Sequence, residues 1–234
     1  MSYQKQPQKP NNFIIFDFET GGLDSNKNPV TEIALTAISG TDFKIIDSYQ
    51  QLILPYDETL IYDDRAAKVS GITKDLLYSE GISIDQVSEA TINLFKTANI
   101  GQEKTVGLRP ILVGHNVQFD IDFLHHMFCY GLGKDYQKAM KDVLHGREDR
   151  FGNFQPTYID TWTICKSWFQ EEGELLDYKL STVSEKLGVD INNAHRAMND
   201  VTSTTEVLRR YLTNLRSSYT ANHKGQREGF KFPI

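Results

Sequence analysis

One stretch near the amino terminus decides the fold of this chain: Phe13-Ile14-Ile15-Phe16-Asp17-Phe18-Glu19, followed by the turn Thr20-Gly21-Gly22-Leu23. The apolar run predicts a buried β-strand. Residues two apart on a strand point to the same face, so we expect Asp17 and Glu19 side by side. Two ionised carboxylates that close repel each other unless a cation neutralises both. The stretch therefore indicates a site for a hard divalent metal ion, although an isolated Asp-x-Glu at a strand end also arises by chance.

The residues after this stretch predict a mixed sheet covered by helices. Two more β-like runs, at residues 30–39 and 43–54, follow short turns that favour antiparallel pairing. Short strands are predicted at 111–114 and 158–161, among helical segments at 63–69, 84–97, 119–130, 162–169, 180–187 and 196–215. Three antiparallel strands followed by parallel strands indicate an α/β fold, a mixed sheet flanked by helices.

Length and composition fit one domain with two tails. The 234 residues are 39% apolar and 24% charged, as is typical of soluble globular proteins. We expect a disordered tail at residues 1–11, the domain at 12–215, and a basic, aromatic tail at 216–234. Residues 134–157 are polar and aromatic and are expected to lie above the domain rather than in its core.

Compartment and charge restrict the function classes. No apolar run approaches the roughly 18 residues of a membrane span. The two cysteines, Cys129 and Cys165, have no metal-ligand spacing, so they are expected to be buried free thiols. Both observations predict a cytoplasmic protein. The net charge is −6, and the tails carry +2 and +3, which leaves −11 on the body. An acidic body argues against coating of duplex DNA, but a nucleic acid fed end-first into a metal site remains compatible with it.

Two further segments carry acids where chemistry is expected. Asp120, in Gly114-His115-Asn116-Val117-Gln118-Phe119-Asp120, follows a predicted strand and opens a helix, where ligands gather in α/β sheets. The helix dipole alone would also favour an acid there. The segment His195-Arg196-Ala197-Met198-Asn199-Asp200 opens another helix and projects Asp200 from its early turns. The acidic strand and these two segments are far less likely to occur together by chance than any one of them is to occur alone.

Together these segments resemble the three exonuclease motifs of the DEDDh (DnaQ-like) 3′–5′ exonucleases, which include polymerase III epsilon-type proofreading subunits, RNase T and oligoribonuclease. The matching motifs are Asp17-x-Glu19, Asn-x-x-Phe-Asp ending at Asp120, and His195-x-Ala197-x-x-Asp200, in the same order over residues 12–215. The resemblance implies an RNase H-like fold and hydrolysis of phosphodiester bonds at 3′ ends, with release of 5′-mononucleotides.

The resemblance also implies roles for individual residues. His195 would be the general base toward the attacking water, and Thr20 and Leu23 would contact the terminal nucleotide. A turn hydroxyl and a core leucine are equally good interpretations of that last pair. Asp160 and Glu32 match no ligand of the family and are expected to be structural. Four carboxylates would hold two Mg²⁺ or Mn²⁺ ions: Asp17, Glu19, Asp120 and Asp200.

Several functions stay open at this level. The leading one is a metal-dependent exonuclease on single-stranded 3′ ends, with DNA slightly preferred over RNA. The alternatives are an RNA-trimming enzyme similar to RNase T or oligoribonuclease, and a catalytically inert nucleic-acid-binding module of the same fold. A proofreading subunit held to a DNA polymerase by the carboxyl-terminal tail and a free-standing nuclease both fit. A homodimer also stays open, because several members of the family are dimers.

Overall fold

The computed structural model describes residues 10–101, 106–170, 175–189 and 196–223, so most of the predicted amino-terminal tail lies outside the described residues. The strands are β1 (Phe13–Thr20), β2 (Val30–Ile38), β3 (Ile45–Leu52), β4 (Ile111–Gly114), β5 (Gly146–Glu148), β6 (Phe154–Pro156) and β7 (Tyr158–Asp160). The helices are α1 (Asp64–Ser70), α2 (Lys74–Glu80), α3 (Ile84–Ala98), α4 (Gln118–Leu132), α5 (Tyr136–Val143), α6 (Thr161–Phe169), α7 (Leu180–Leu187) and α8 (Ala197–His223).

Five strands form the central sheet, in the order β3-β2-β1-β4-β7. The pairs β1–β2 and β2–β3 are antiparallel, whereas β1–β4 and β4–β7 are parallel. The predicted mixed sheet flanked by helices is therefore confirmed. Because the three parallel strands end at the same edge, the segments that follow them meet there. The strands β5 and β6 form a separate antiparallel hairpin.

The alternation of side chains along β1 divides the core into two layers. Phe16 and its even-numbered neighbours pack with α3 and α4 in the larger apolar cluster. Ile15 faces the other way and packs with Val201 and other residues of α8. Asp17 and Glu19 continue the odd-numbered set, so they emerge from the sheet on the side that α8 covers. The hydrophobic pattern thus delivers both carboxylates to one helix.

A turn and a helix cap at residues 71–73 separate α1 from α2. Helix α1 ends at Gly71, whose φ of 73° lies in the left-handed region that favours glycine. Thr73 then starts α2, and its side chain accepts a hydrogen bond from the Leu76 amide. The sequence does not predict α2 itself, because its apolar residues, at positions 76–78, are adjacent and show no helical periodicity. Leu77 is the one buried residue within that helix.

The prediction that residues 134–157 lie outside the core is wrong for part of this segment. Met140 and Val143 of α5, Leu144 and Phe154 are buried in the larger apolar cluster. The signal is present in the sequence: Tyr136, Ala139, Met140, Val143 and Leu144 recur at the helical spacing i, i+3, i+4, i+7 and i+8. The prediction followed the polar composition of the segment as a whole and overlooked this spacing. The tip of the β5–β6 hairpin does lie exposed, with Phe151 at its end.

Three smaller features also differ from prediction. Helix α4 continues past the predicted end at residue 130 to Leu132, and Gly131 within it lets α3 approach so closely that a Cβ would lie 2.1 Å from the Ser88 hydroxyl. Helix α8 continues past residue 215, and its Arg216 donates to the Gly40 carbonyl at 2.6 Å. Cys165 is buried as expected, whereas Cys129 is exposed. Among the described helices, none combines the length and apolarity needed to span a bilayer.

Candidate active site

Strand β1 carries the first two acids to the edge of the sheet. Asp17 lies opposite Ala34 of β2, and Glu19 lies opposite Glu32. The pairing shifts after Glu19, and the chain then turns through two buried glycines. A Cβ at Gly21 would lie 2.7 Å from the Pro29 ring, so only glycine lets the turn pack this closely. The carboxylates therefore sit on a strand end that packing holds in place.

Helix α8 brings a third acid to the pair. Asp200 lies in the first turn of α8, which packs across β1 and β2. One carboxylate oxygen from each of Asp17, Glu19 and Asp200 can be chosen such that all three lie within 4.8 Å of one another. The predicted convergence of these three residues is therefore observed. Acidic oxygens at this spacing suit a divalent cation of the Mg²⁺ or Mn²⁺ class.

Asp120 reaches the same edge from the opposite layer of the fold. It lies in the first turn of α4 and is 4% exposed. Its Oδ1 accepts a hydrogen bond from the Phe18 amide at 3.1 Å, between the two acids of β1. Burial raises the pKa of Asp120, and that backbone hydrogen bond opposes the shift. Asp120 thus adjoins the cluster, although the close group of three oxygens does not include it.

The acids raise one another's pKa because little positive charge balances them. Burial, followed by Asp120 and Asp200, raises the pKa of Asp17 well above its ordinary range. Burial and then Asp200 raise the pKa of Glu19 to about 8, while Arg196 lowers it. Burying several carboxylates together is costly unless a cation neutralises them. This electrostatic imbalance is the physical reason that the residues present fit a metal site.

Glu32 is the residue of this region whose role the sequence does not reveal. It is predicted to be structural, and the structure places it on β2 with 1% exposure. Its carboxylate accepts from the Arg196 guanidinium at 2.8 and 3.3 Å, and from the Ala197 amide at 3.3 Å. Gln50 donates to it at 2.9 Å. Glu32 therefore holds the start of α8, the helix that carries Asp200. The available signal is a lone glutamate in a fully buried strand.

The remaining predicted site residues differ in what the structure shows. His195 lies outside the described residues. The Thr20 hydroxyl donates to the Gly22 carbonyl at 2.6 Å, which is the turn interaction expected as its alternative role. Leu23 is 87% exposed, so the interpretation as a core leucine is wrong. A large apolar side chain stands in solvent directly after the acidic strand.

Three neighbours of the site make structural contacts, among them Asp160, for which a structural role is predicted. Asp160 caps α6 through the Trp162 amide and also accepts from the Asn116 amide at 2.9 Å. His115 bonds to the Thr161 hydroxyl at 2.9 Å, and Phe119 packs beside Phe123. These contacts secure the loop between β4 and α4, and they thereby position Asp120.

Comparisons with known proteins agree with this geometry. The RNase_T family model, described as "Exonuclease", matches residues 14–208. The DNA polymerase III PolC-type of Thermotoga petrophila is 28% identical over 200 residues, which are 86% of this chain and 12% of that protein. The DNA polymerase III PolC-type of Pediococcus pentosaceus is 26% identical over 223 residues, which are 94% of this chain and 13% of that protein. The chain thus spans about an eighth of the length of these relatives.

Solved structures show the same fold. E. coli exonuclease I in complex with a dT13 oligonucleotide superposes with a TM-score of 0.65 at 18% identity, covering 91% of this chain and 43% of that one. The complex of the same nuclease with a dA16 oligonucleotide gives a TM-score of 0.63 at 16% identity, covering 88% of this chain and 43% of that one. The shared architecture is RNase H-like, and the family match covers most of the chain. The chain belongs to the DEDDh (DnaQ-like) 3′–5′ exonuclease family.

Proposed function

We propose that this exonuclease domain acts on single-stranded 3′ ends, releases 5′-mononucleotides, and prefers DNA over RNA. The observation that carries the proposal is the group formed by Asp17, Glu19 and Asp200, with Asp120 bound to the strand beside it. The names of the relatives support DNA, because they are DNA polymerases and a nuclease crystallised with oligodeoxynucleotides.

The four carboxylates would hold two Mg²⁺ or Mn²⁺ ions. Asp17, Glu19 and Asp200 offer oxygens close enough to share a cation, and Asp120 adds a buried carboxylate at the same edge. When bound, such ions supply charge neutralisation at the phosphate and Lewis-acid polarisation of its oxygens. The protein contributes rigid placement, since β1, α4 and α8 each deliver one part of the site.

His195 is proposed as the general base. A water molecule would attack phosphorus and lose its proton to the imidazole, whose ordinary pKa near 6.5 suits neutral pH. The bond from phosphorus to the 3′ oxygen then breaks, and that oxygen takes a proton from solvent. Support comes from the family motif and from Arg196, the next residue, whose guanidinium is held at Glu32 opposite Glu19.

Leu23 and Thr20 are proposed to contact the terminal nucleotide. Leu23 is 87% exposed beside the acidic strand, and a base stacked on it would cover that apolar surface. Thr20 is engaged within the turn, so its contribution is to hold the loop that presents Leu23. The acidic body of the chain suits a strand that enters by its end.

The test is digestion of matched substrates labelled at the 5′ end: single-stranded DNA, duplex DNA and RNA. We expect Mg²⁺-dependent shortening of single-stranded DNA from its 3′ end, at least about 100-fold slower in Asp17→Ala and Asp200→Ala because each removes a metal ligand. Glu89→Ala, which removes an exposed carboxylate of α3, is the matched control.

The outcomes separate the alternatives. Full activity of both aspartate variants would refute the assignment of the site. Faster digestion of RNA would favour the RNA-trimming alternative, which resembles RNase T and oligoribonuclease. Activity of the unaltered chain on none of the substrates would favour the inert binding module.

The polymerase names of the relatives also support a partner. We propose that this domain works with a DNA polymerase, with residues 216–234 as the docking segment, most of which lies outside the described residues. Co-purification with a polymerase that survives deletion of residues 216–234 would contradict that role for the tail. A homodimer and a cytoplasmic location remain predictions, and the former is decided by the mass measured in solution.

A further inference from the structure

A second cleft lies beside the acidic cluster, between the start of α4, the β5–β6 hairpin and β7. Its volume is about 920 Å³. Gln118 and Ile121 of α4 form one wall, Arg147 and Phe151 of the hairpin form another, and Tyr158 of β7 forms a third. The proposed catalytic residues do not line this cleft, so its function needs a separate explanation.

Two aromatic rings face solvent in this cleft. Phe151 at the hairpin tip is 73% exposed, and Tyr158 is 42% exposed. The Arg150 guanidinium lies 4.6 Å from the centre of the Phe151 ring. Exposed aromatic rings interleaved with arginine are the surface on which proteins stack the bases of single-stranded nucleic acid. Folding alone does not require Phe151 to be in this position, because the ring is not buried.

The charges of the cleft favour an anion. Glu148 is engaged by the Lys141 ammonium group at 2.7 Å. Asp149 is engaged within the hairpin turn by the Phe151 and Asn153 amides at 2.8 and 3.0 Å. The Arg147 side chain is exposed and forms no hydrogen bond or ion pair with other described residues, while its backbone pairs with Gln155 in the hairpin. Glu148 is therefore ion-paired and the Asp149 carboxylate is hydrogen-bonded within its own turn, which leaves the Arg147 side chain available to a phosphate.

The position of the cleft links it to the exonuclease site. Tyr158 donates to the Gln118 side chain at 3.2 Å, and Gln118 lies two residues before Asp120 on the same helix. Strand β7 is separated from β1 by β4 alone. Two strand spacings amount to about 10 Å, a distance that a nucleic acid strand covers within a few nucleotides.

We propose that this cleft binds the single strand upstream of the 3′ end, with bases stacked on Phe151 and Tyr158 and a phosphate bound by Arg147. The inference rests on the proposed exonuclease function and adds a strand-binding site to it. The cleft would hold a long substrate in register while its end occupies the acidic cluster.

The first test compares two substrates that differ in reach. A long oligothymidylate spans both sites, whereas thymidine 5′-(p-nitrophenyl phosphate) occupies the acidic cluster alone. We expect Phe151→Ala and Arg147→Ala each to lower the ratio of kcat/KM for the long substrate to that for the short one by about tenfold. Tyr78→Ala and Arg65→Ala remove an exposed ring and an exposed guanidinium elsewhere, and should leave the ratio unchanged.

The second test measures binding without turnover. In the Asp200→Ala background, fluorescence anisotropy of labelled oligothymidylate should show about tenfold weaker binding for Phe151→Ala. Arg147→Ala should reduce the slope of log affinity against log salt by about 0.7, the value for one phosphate contact to a single strand. The inference would be overturned if the variants kept the kcat/KM ratio, the affinity for oligothymidylate and the salt dependence of the unaltered chain. Failure of the unaltered chain to cleave either substrate would instead contradict the proposed function, while the binding test would still decide the role of the cleft.

Discussion

Glu19 illustrates at the scale of one residue why this site needs a cation. Burial and the neighbouring Asp200 raise its pKa to about 8, whereas an unperturbed glutamate has a pKa of 4.5. The charge of Glu32 also raises the pKa of Glu19, although Glu32 itself forms an ion pair with Arg196. Without metal, the folded chain therefore takes up protons at neutral pH that the unfolded chain does not.

This difference predicts how stability depends on pH in the absence of metal. The folded-state pKa of Glu19 lies above its unfolded value, so between pH 4.5 and about 8 the native state binds more protons than the unfolded state. The free energy of unfolding should therefore fall as pH rises through this window, by up to about 1.4 kcal/mol per pH unit for each such acid. Urea denaturation with a chelator present measures the slope.

Glu19→Gln is the variant that isolates this effect, because its side chain keeps the shape of glutamate and cannot ionise. We expect it to show a smaller slope and a higher stability than the unaltered chain at pH 8. The remaining slope would report Asp17 and Asp120, whose pKa values are also raised by burial. Identical slopes in the two proteins would contradict the placement of Glu19 in an uncompensated acidic cluster.

At the scale of elements, the site depends on how β2 holds the start of α8. Glu32 bonds both to the side chain of Arg196 and to the amide of Ala197 at the first turn of the helix. The carboxylate thus stabilises amide groups that have no partner within the helix and complements its dipole. Asp200 lies in the same turn, so its position follows from this contact.

We predict that Glu32→Gln weakens the site without altering any proposed metal ligand. Loss of the charged hydrogen bonds should cost about 1–3 kcal/mol of unfolding free energy. Release of the first turn of α8 should raise the Mn²⁺ concentration needed for half-maximal exonuclease activity. Arg196→Lys keeps the charge but loses the fork that contacts both carboxylate oxygens, so an intermediate effect is expected. A normal metal requirement in Glu32→Gln would show that Glu32 serves stability alone.

At the scale of the whole molecule, the acidic body is matched to a bound cation. Residues 12–215 carry a net −11, and several of these charges meet at the junction of β1, α4 and α8. A ligand that binds only the folded state stabilises it in proportion to its occupancy. The three layers of the fold should therefore be held together more strongly when metal is present.

Titration with Mn²⁺ should raise the melting temperature. At a metal concentration 100 times its Kd, the expected stabilisation is about 2.7 kcal/mol per site. Asp17→Ala and Asp200→Ala should lose most of this shift, and Glu89→Ala should retain it. If millimolar Mn²⁺ leaves the melting temperature of the unaltered chain unchanged, the inert binding module becomes the better description.

The acidic strand and the site acids are features that short sequence patterns predict. The continuous apolar run at residues 13–16 predicts the buried strand. The period of two predicts the shared face of Asp17 and Glu19, because that period is a property of any strand. The order of the motifs identifies the family, and with it the expected meeting of Asp120 and Asp200 with the strand. Helix α2 is not predicted because its apolar residues, at positions 76–78, are adjacent and show no helical periodicity. The apolar residues of α5 do recur at helical spacing, but the prediction for residues 134–157 followed their polar composition.

The sequence by itself determined the acidic strand, the mixed sheet and the set of candidate ligands, because these depend on neighbouring residues and on motif order. Only the tertiary structure decided that Asp120 bonds to a strand residue 102 positions away, that Glu32 holds the start of α8, and that Leu23 stands in solvent. It also placed the hairpin tip beside the start of α4. These contacts join segments distant in sequence, and their energies depend on burial and packing that exist only in the folded chain.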